Sequence, residues 1–400
     1  MKVLFIVCDG LGDRSIEELG WKTPLEAAET PVLDRLCSEG ACGLMHVISP
    51  GVIPGSDTAH LALMGYDPYK YYSGRGPFEA AGIGLELREG DVALRCNFAT
   101  VENGRIVDRR AGRIKEGTEK LAEALSGMSI DGVEIIFRAA TEHRGVLVLR
   151  GDDLDPRITD VDPHGLTGVA EARPLAPEAR KTADVVNQFT RRAMEILGRH
   201  PLNAERAERG LPPANAVLAR GAGIAVSFEP FERKWGMKAA AITGVALVKG
   251  VCRTLGMDMV DVKGATGGVD TDVDAKFRAA ERALRTHDLV FVNVKAPDIY
   301  GHDGDARGKV RIAERIDAAL GSIELPEITV VCADHSTSAC AKNHTSDPVP
   351  LLIRAPCIRR DRPERFNEID AAGGVLSGIR GMELMNYIQD LRGKAEKFGA

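Results

Sequence analysis

Three short apolar runs in this 400-residue chain end on or lead to a carboxylate: Val3 to Cys8 runs into Asp9, Val290 to Val294 leads to Asp298, and Thr329 to Ala333 ends at Asp334. If the runs are strands of an open α/β sheet, these carboxylates gather at its carboxyl edge, where such sheets bind ligands. A single Asp after a strand means little, and Asp9-Gly10 alone reads as ordinary turn chemistry. The three together read differently, because two of them come with histidines. His302 follows Asp298 by one helical turn, His335 follows Asp334 directly, and His344 stands nine residues beyond His335. Mixed Asp/His sets suit divalent cations such as Mn²⁺ and Zn²⁺. Taken singly, His302 and His344 would pass as loop histidines. Their clustering beside strand-end carboxylates points to a bimetallic site.

Such a site needs a group to act with, and Pro50-Gly-Val-Ile-Pro-Gly-Ser56-Asp-Thr-Ala-His60 supplies one. A Gly/Pro turn delivers Ser56 to the start of an apolar helix. An N-cap role explains Ser56 equally well on local grounds. A hydroxyl there would also feel the positive end of the helix dipole, and a bound divalent cation would lower its pKa enough to make it a nucleophile near neutrality. His60 lies one turn on, where packing under the turn is its expected job.

The elements that must position these residues alternate. Val3 to Val7 reads as a strand and Pro31 to Glu39 as a helix. Late in the chain the rhythm resumes with a helix over Ala275 to Thr286, a strand over Asp288 to Val294, a helix over Lys309 to Leu320, and strands over Ile328 to Cys332 and Val349 to Ile353. Between these blocks the texture changes. Glu116 to Leu125 is helical, Val133 to Phe137 and Gly145 to Leu149 are strands, and Asp152 to Pro177 is mostly loop. A helix over Ala179 to Leu197 precedes a strand over Ala214 to Ala219, taken as the return to the main sheet. The expected fold class is therefore α/β: a mostly parallel sheet flanked by helices, formed by residues 1–75 and 211–400, with a smaller α+β module inserted at 76–210.

Val7-Cys8-Asp9-Gly10, Pro54-Gly-Ser56-Asp-Thr-Ala-His60, Asp298-Ile-Tyr-Gly-His302-Asp-Gly and Ala333-Asp334-His335-Ser-Thr together resemble the alkaline phosphatase superfamily. Within it, the archaeal-type 2,3-bisphosphoglycerate-independent phosphoglycerate mutases fit best. Thr23-Pro-Leu-Glu-Ala-Ala, Gly65-Tyr-Asp-Pro, Gly74-Arg-Gly-Pro-Phe-Glu-Ala, Ala265-Thr-Gly and His344-Thr-Ser-Asp-Pro-Val-Pro look like that branch specifically. The resemblance implies an alkaline-phosphatase-like core with the insertion as a substrate-binding lid. It implies one metal held by Asp9, Ser56, Asp334 and His335, and a second held by Asp298, His302 and His344. Mn²⁺ is the first expectation, with Zn²⁺, Co²⁺ or Mg²⁺ as alternatives. It also implies that Ser56 takes the phosphoryl group of 3-phosphoglycerate and passes it to the other hydroxyl of the retained glycerate. Substrate binders are expected at His143, Arg144, Asp162 and His164 in the insertion, and at Arg220 and Lys249 in the main domain; Arg75 carries less weight. Two departures stand out. Ser338 replaces a common Pro and Asn293 a frequent His, and neither is expected to touch a proposed ligand.

Composition narrows the alternatives. With 52 Lys+Arg against 58 Asp+Glu the net charge is −6, so no basic surface announces a nucleic acid. The first apolar run stops at Asp9 without a cleavage-site pattern, and Ala239 to Val248, the longest candidate, is too short to span a membrane. Eight scattered cysteines without a CxxC pair read as reduced thiols, hence a cytoplasmic protein. The partner expected is a small phosphorylated metabolite, and homo-oligomerisation stays open. Two rivals share the residues: a phosphomonoesterase or homoserine-kinase-like phosphotransferase on the same core, and a non-enzymatic metal-binding scaffold, which would have no use for Ser56. No Gly-x-Gly-x-x-Gly follows a strand, which removes a dinucleotide site.

Overall fold

A computed structural model describes residues 1–165 and 167–399. The chain divides into two compact units, Met1–Tyr71 with Phe228–Ala400, and Tyr72–Ser227.

The larger unit is built on a seven-stranded sheet in the order Asp258–Met259, Ala239–Ile242, Leu289–Val294, Val3–Cys8, Ile328–Cys332, Val349–Arg354, Ala41–Met45. The first five are parallel to one another, and Val349–Arg354 runs antiparallel to both of its neighbours. Val3–Cys8 and Leu289–Val294 are buried at every position. That is why they read as apolar runs, broken only by Asn293 in the second: helices cover both faces of a parallel sheet, so nothing alternates. The helix Pro31–Glu39 starts with Pro at its first position, buries Leu33, Leu36 and Cys37, and ends at Gly40. The expected main-sheet strands and flanking helices appear within a few residues of their predicted bounds. Asp9, Asp298 and Asp334 do stand at the carboxyl edge of three neighbouring strands.

The smaller unit is an antiparallel sheet in the order Arg105–Asp108, Val92–Glu102, Arg144–Arg150, Val133–Ala139, Ser129–Ile130. Ala216–Ile224 pairs with Val92–Glu102. This corrects the reading of the 214–219 strand as the return to the main sheet: its partner is the longest strand of the smaller one. Arg220 consequently belongs to this unit, not to the main domain. The 19-residue helix Arg180–Gly198 packs Val185, Val186, Phe189, Ala193 and Leu197 into the core. Phe98, Phe137 and Phe189 form a chain of ring contacts there. Val92–Glu102 itself escaped the sequence reading, because Arg95, Asn97 and Thr100 interrupt its apolar pattern.

Candidate active site

Ser56 is the first residue of the helix Ser56–Leu63, and Gly55, not Ser56, is its N-cap. The capping alternative is thereby set aside, and the hydroxyl is free for other partners. It lies 3.2 Å from His335 Nε2. His335 Nδ1 is 2.9 Å from Thr337 Oγ1, whose single proton goes to Asp298 Oδ1 at 2.7 Å. Nδ1 must therefore carry the ring proton, and the Nε2 lone pair faces Ser56 Oγ. The same nitrogen is 3.6 Å from Asp9 Oδ1 and 3.2 Å from Asp334 Oδ2. Burial holds His335 neutral, well below the ordinary histidine range.

Asp298 and His302 share one face of the helix Ala296–Asp303. His302 Nε2 and His344 Nε2 each stand 3.4 Å from Asp298 Oδ1. Their other ring nitrogens face backbone carbonyls, His302 Nδ1 that of Lys342 at 3.0 Å and His344 Nδ1 that of Pro54 at 2.9 Å. Each Nδ1 donates, so each Nε2 is presented as a ligand, the arrangement that orients metal-binding imidazoles. Burial opposes ionisation of Asp298, but the hydrogen bond that His344 donates from Nε2 when its ring is protonated and the charge of Lys295 outweigh it and hold the carboxyl well below the usual range. Burial and the charge of Asp334 push Asp9 the other way.

Three donor groups emerge: Asp298, His302 and His344; Asp9, Asp298 and His335; Asp9, His60 and Asp334. Asp334 Oδ2 is buried with no hydrogen-bond partner. A buried carboxylate oxygen without a donor is costly unless a cation meets it. The residues fit divalent cations. The close approach of the three ligand-bearing segments depends on Gly10, whose φ is +67° and where a Cβ would come within 2.6 Å of Asp298 Cβ and Thr337 Oγ1.

Three neighbours escaped the sequence reading. Lys295 Nζ is 2.7 Å from both Asp9 Oδ1 and Asp298 Oδ2, bridging carboxylates expected to serve different metals. Its signal was a cation three residues before Asp298. Lys276 is buried, donates to the Asn293 carbonyl at 3.0 Å, and is pulled down to about 8 by burial. Asn293 Nδ2 donates to Asp9 Oδ2 at 3.1 Å. This corrects the expectation that position 293 touches no ligand. Being the last residue but one of its strand, Asn293 directs its side chain at the neighbouring strand's end. His60, expected only to pack, lies with Asp9 and Asp334, and its Nδ1 is 2.6 Å from the Ser56 carbonyl. Lys249 pairs with Asp261 at 3.2 Å, not with this cluster.

The smaller unit holds its own charged face. Arg95 lies opposite Arg220 and Asn97 opposite Arg144 in the strand register. Arg75 and Arg95 share Glu79 Oε1 at 2.8 and 3.7 Å. Arg95 is pulled down to about 9 by burial and by the like charges of Arg75, Arg220 and Arg144. Its Nε, Asn97 Oδ1 and His143 Nδ1 are buried without hydrogen-bond partners. Burial and Arg144 push His143 down to about 4. Asp162 is occupied by a bidentate pair with Arg109, at 3.0 and 2.6 Å, and by Arg220 at 3.6 Å. His164 faces Asp160 at 3.1 Å. Asp162 thus organises the arginines. Arg95 and Arg109 were missed because an Arg within a strand or in the turn after one carries no motif.

A family model described as 2,3-bisphosphoglycerate-independent phosphoglycerate mutase matches residues 37–203. A protein of that name from Methanopyrus kandleri is 51% identical, with 100% of this chain and 98% of the relative covered. The chain belongs to the 2,3-bisphosphoglycerate-independent phosphoglycerate mutase family. Another member so named, from Ignicoccus hospitalis, is 48% identical over 100% of this chain and 99% of its own length. Among solved structures, a protein from Pyrococcus horikoshii superposes with a TM-score of 0.88 at 38% identity, covering 100% of this chain and 99% of that one. A cofactor-independent phosphoglycerate mutase from Thermoplasma acidophilum gives 0.73 at 37% identity, covering 98% and 100%. Among the described residues, no helix is long and apolar enough to cross a membrane.

Proposed function

We propose that this chain interconverts 3-phosphoglycerate and 2-phosphoglycerate through a phosphorylated Ser56, without a bisphosphoglycerate primer. The observation that carries the reading is the 3.2 Å approach of Ser56 Oγ to the unprotonated Nε2 of His335, at a helix start beside two sets of metal-type donors. Asp9, Ser56, Asp334 and His335 would hold one divalent cation and Asp298, His302 and His344 the other, with Mn²⁺ the ion proposed. Bound there, the cations supply charge neutralisation for the phosphoryl oxygens and a lowered pKa for the serine hydroxyl.

The chain's own groups do the rest. Ser56 Oγ attacks phosphorus and its proton leaves. The bond from phosphorus to the C3 oxygen breaks, and that oxygen takes a proton. The C2 hydroxyl of the same glycerate then attacks phosphoserine, loses its proton, and Ser56 regains one. The amides that open the Ser56 helix favour the anionic phosphoryl group. Lys295 sets a cation between Asp9 and Asp298, and Asn293 fixes the Asp9 carboxylate. Between the two transfers the glycerate must be held and water kept out. We assign the holding to the Tyr72–Ser227 unit, with Arg95, Arg144, Arg220 and His143 binding the substrate's anionic groups and Asp162, His164 and Arg109 positioning them; guanidinium forks match carboxylate and phosphate geometry. Lys249 is proposed as a further anion binder.

A coupled assay on EDTA-stripped, Mn²⁺-loaded protein tests this. Conversion of 3- to 2-phosphoglycerate without bisphosphoglycerate and without free phosphate is expected. Free phosphate instead would make the protein a phosphomonoesterase, and no turnover in either channel would direct the search to phosphotransfer between small metabolites.

A further inference from the structure

Eight cysteines scattered through the sequence suggest reduced thiols, but the fold brings two together far from the candidate active site. Cys37, in the last turn of Pro31–Glu39, and Cys42, in the edge strand Ala41–Met45, place their sulfurs 2.8 Å apart. Unbonded heavy atoms settle at about 3.5–4.0 Å even for carbon, and a disulfide needs about 2.05 Å. The pair therefore sits inside ordinary contact distance and short of a bond, with both thiols free. Cys37 Sγ donates to the Pro363 carbonyl at 3.4 Å. The chain between the two cysteines is clamped. Gly40 has no room for a Cβ, which would lie 2.4 Å from the Ile353 carbonyl oxygen. The Cys42 amide donates to Asp361 at 2.8 Å.

We propose that Cys37 and Cys42 are a disulfide-forming pair that cross-links the end of this helix to the edge of the main sheet. The oxidant is a low-molecular-weight disulfide, RSSR. One cysteine thiolate attacks it, releasing RSH and leaving a mixed disulfide. The second thiolate attacks the protein sulfur of that mixed disulfide and releases the second RSH. The two cysteines are oxidised, RSSR is reduced to two thiols, and both protein protons leave with them. Both side chains are buried, and the hydrogen bond that Cys42 donates to Cys37 together with burial pushes Cys42 up. The reactive thiolate is therefore scarce once the segment has folded. The bond forms as the chain folds, and burial then shields it from reductants.

The test refolds the full chain from denaturant with either oxidised glutathione or dithiothreitol, then alkylates it in denaturant and maps peptides. The expected result with glutathione disulfide is a Cys37–Cys42 link, the mass lower by two hydrogens at that peptide, resistance of the link to dithiothreitol until the protein unfolds, and a melting temperature raised by a few degrees over the reduced form. Cys37→Ala and Cys42→Ala, each made separately, should abolish the shift. The exposed Cys340 and Cys357 provide internal controls for glutathione adducts. Two free thiols or two glutathione adducts at positions 37 and 42 after oxidative refolding would overturn the proposal. So would a link that dithiothreitol opens equally fast in the folded chain.

Discussion

The two units each leave buried polar atoms without partners, but with opposite charge. In the larger one, Asp9, Asp298 and Asp334 converge, Lys295 bridges the first two, and the orphan is a carboxylate oxygen. In the smaller one, Arg75, Arg95, Arg144 and Arg220 crowd together around Glu79 and Asp162, and one orphan is a guanidinium nitrogen. Charge left uncompensated in low dielectric is unfavourable in either case. The difference matches the ligands proposed for each unit: cations for the first, an anionic metabolite for the second.

The comparison breaks first at the nucleophile. Ser56→Ala should lower turnover by at least about 10⁴-fold while metal analysis still finds cations on the remaining ligands; a rate near that of the unsubstituted enzyme would remove Ser56 from the mechanism. Asn293→Ala should weaken cation binding roughly 10-fold, measured by titration of the stripped protein, and leave the arginine face unaffected. Arg95→Met should do the reverse, with kcat/KM for phosphoglycerate falling roughly 10- to 100-fold and metal content unchanged. If Arg95→Met lost metal instead, the division of labour would fail.

The smallest expected effect is one of pH. The folded His143 is held down to about 4 against an ordinary value of 6.5, so between those values the unfolded chain binds the extra proton. Stability from this residue is present above pH 6.5 and is lost as pH falls toward 4. His143→Asn should flatten that part of the melting-temperature profile, and identical slopes for the two proteins would contradict it.

How legible each unit was follows from the same contrast. Asp9, Asp298 and Asp334 follow fully buried parallel strands, whose apolar runs announce themselves, and the histidines stand at short spacing from them. The arginine face is assembled across antiparallel strands. Arg95 meets Arg220 through register, over a separation that no local pattern encodes, and the polar residues on that face disguised the strand itself. Asn293 and Lys295 were hidden differently. Their roles depend on which strand lies next door, and strand order is a property of the sheet.

The carbonyl of Pro54 faces His344 Nδ1 and lies two residues before Ser56. That contact ties the segment delivering the nucleophile to an imidazole of the other donor set. Filling the Asp298/His302/His344 set would steady that imidazole and, through it, the backbone leading to Ser56. If both sets bind ions, their loading would be thermodynamically linked: the first ion would lower the ordering cost of the second, and amide exchange at Gly51, Val52, Ile53 and Gly55 would slow with each ion added.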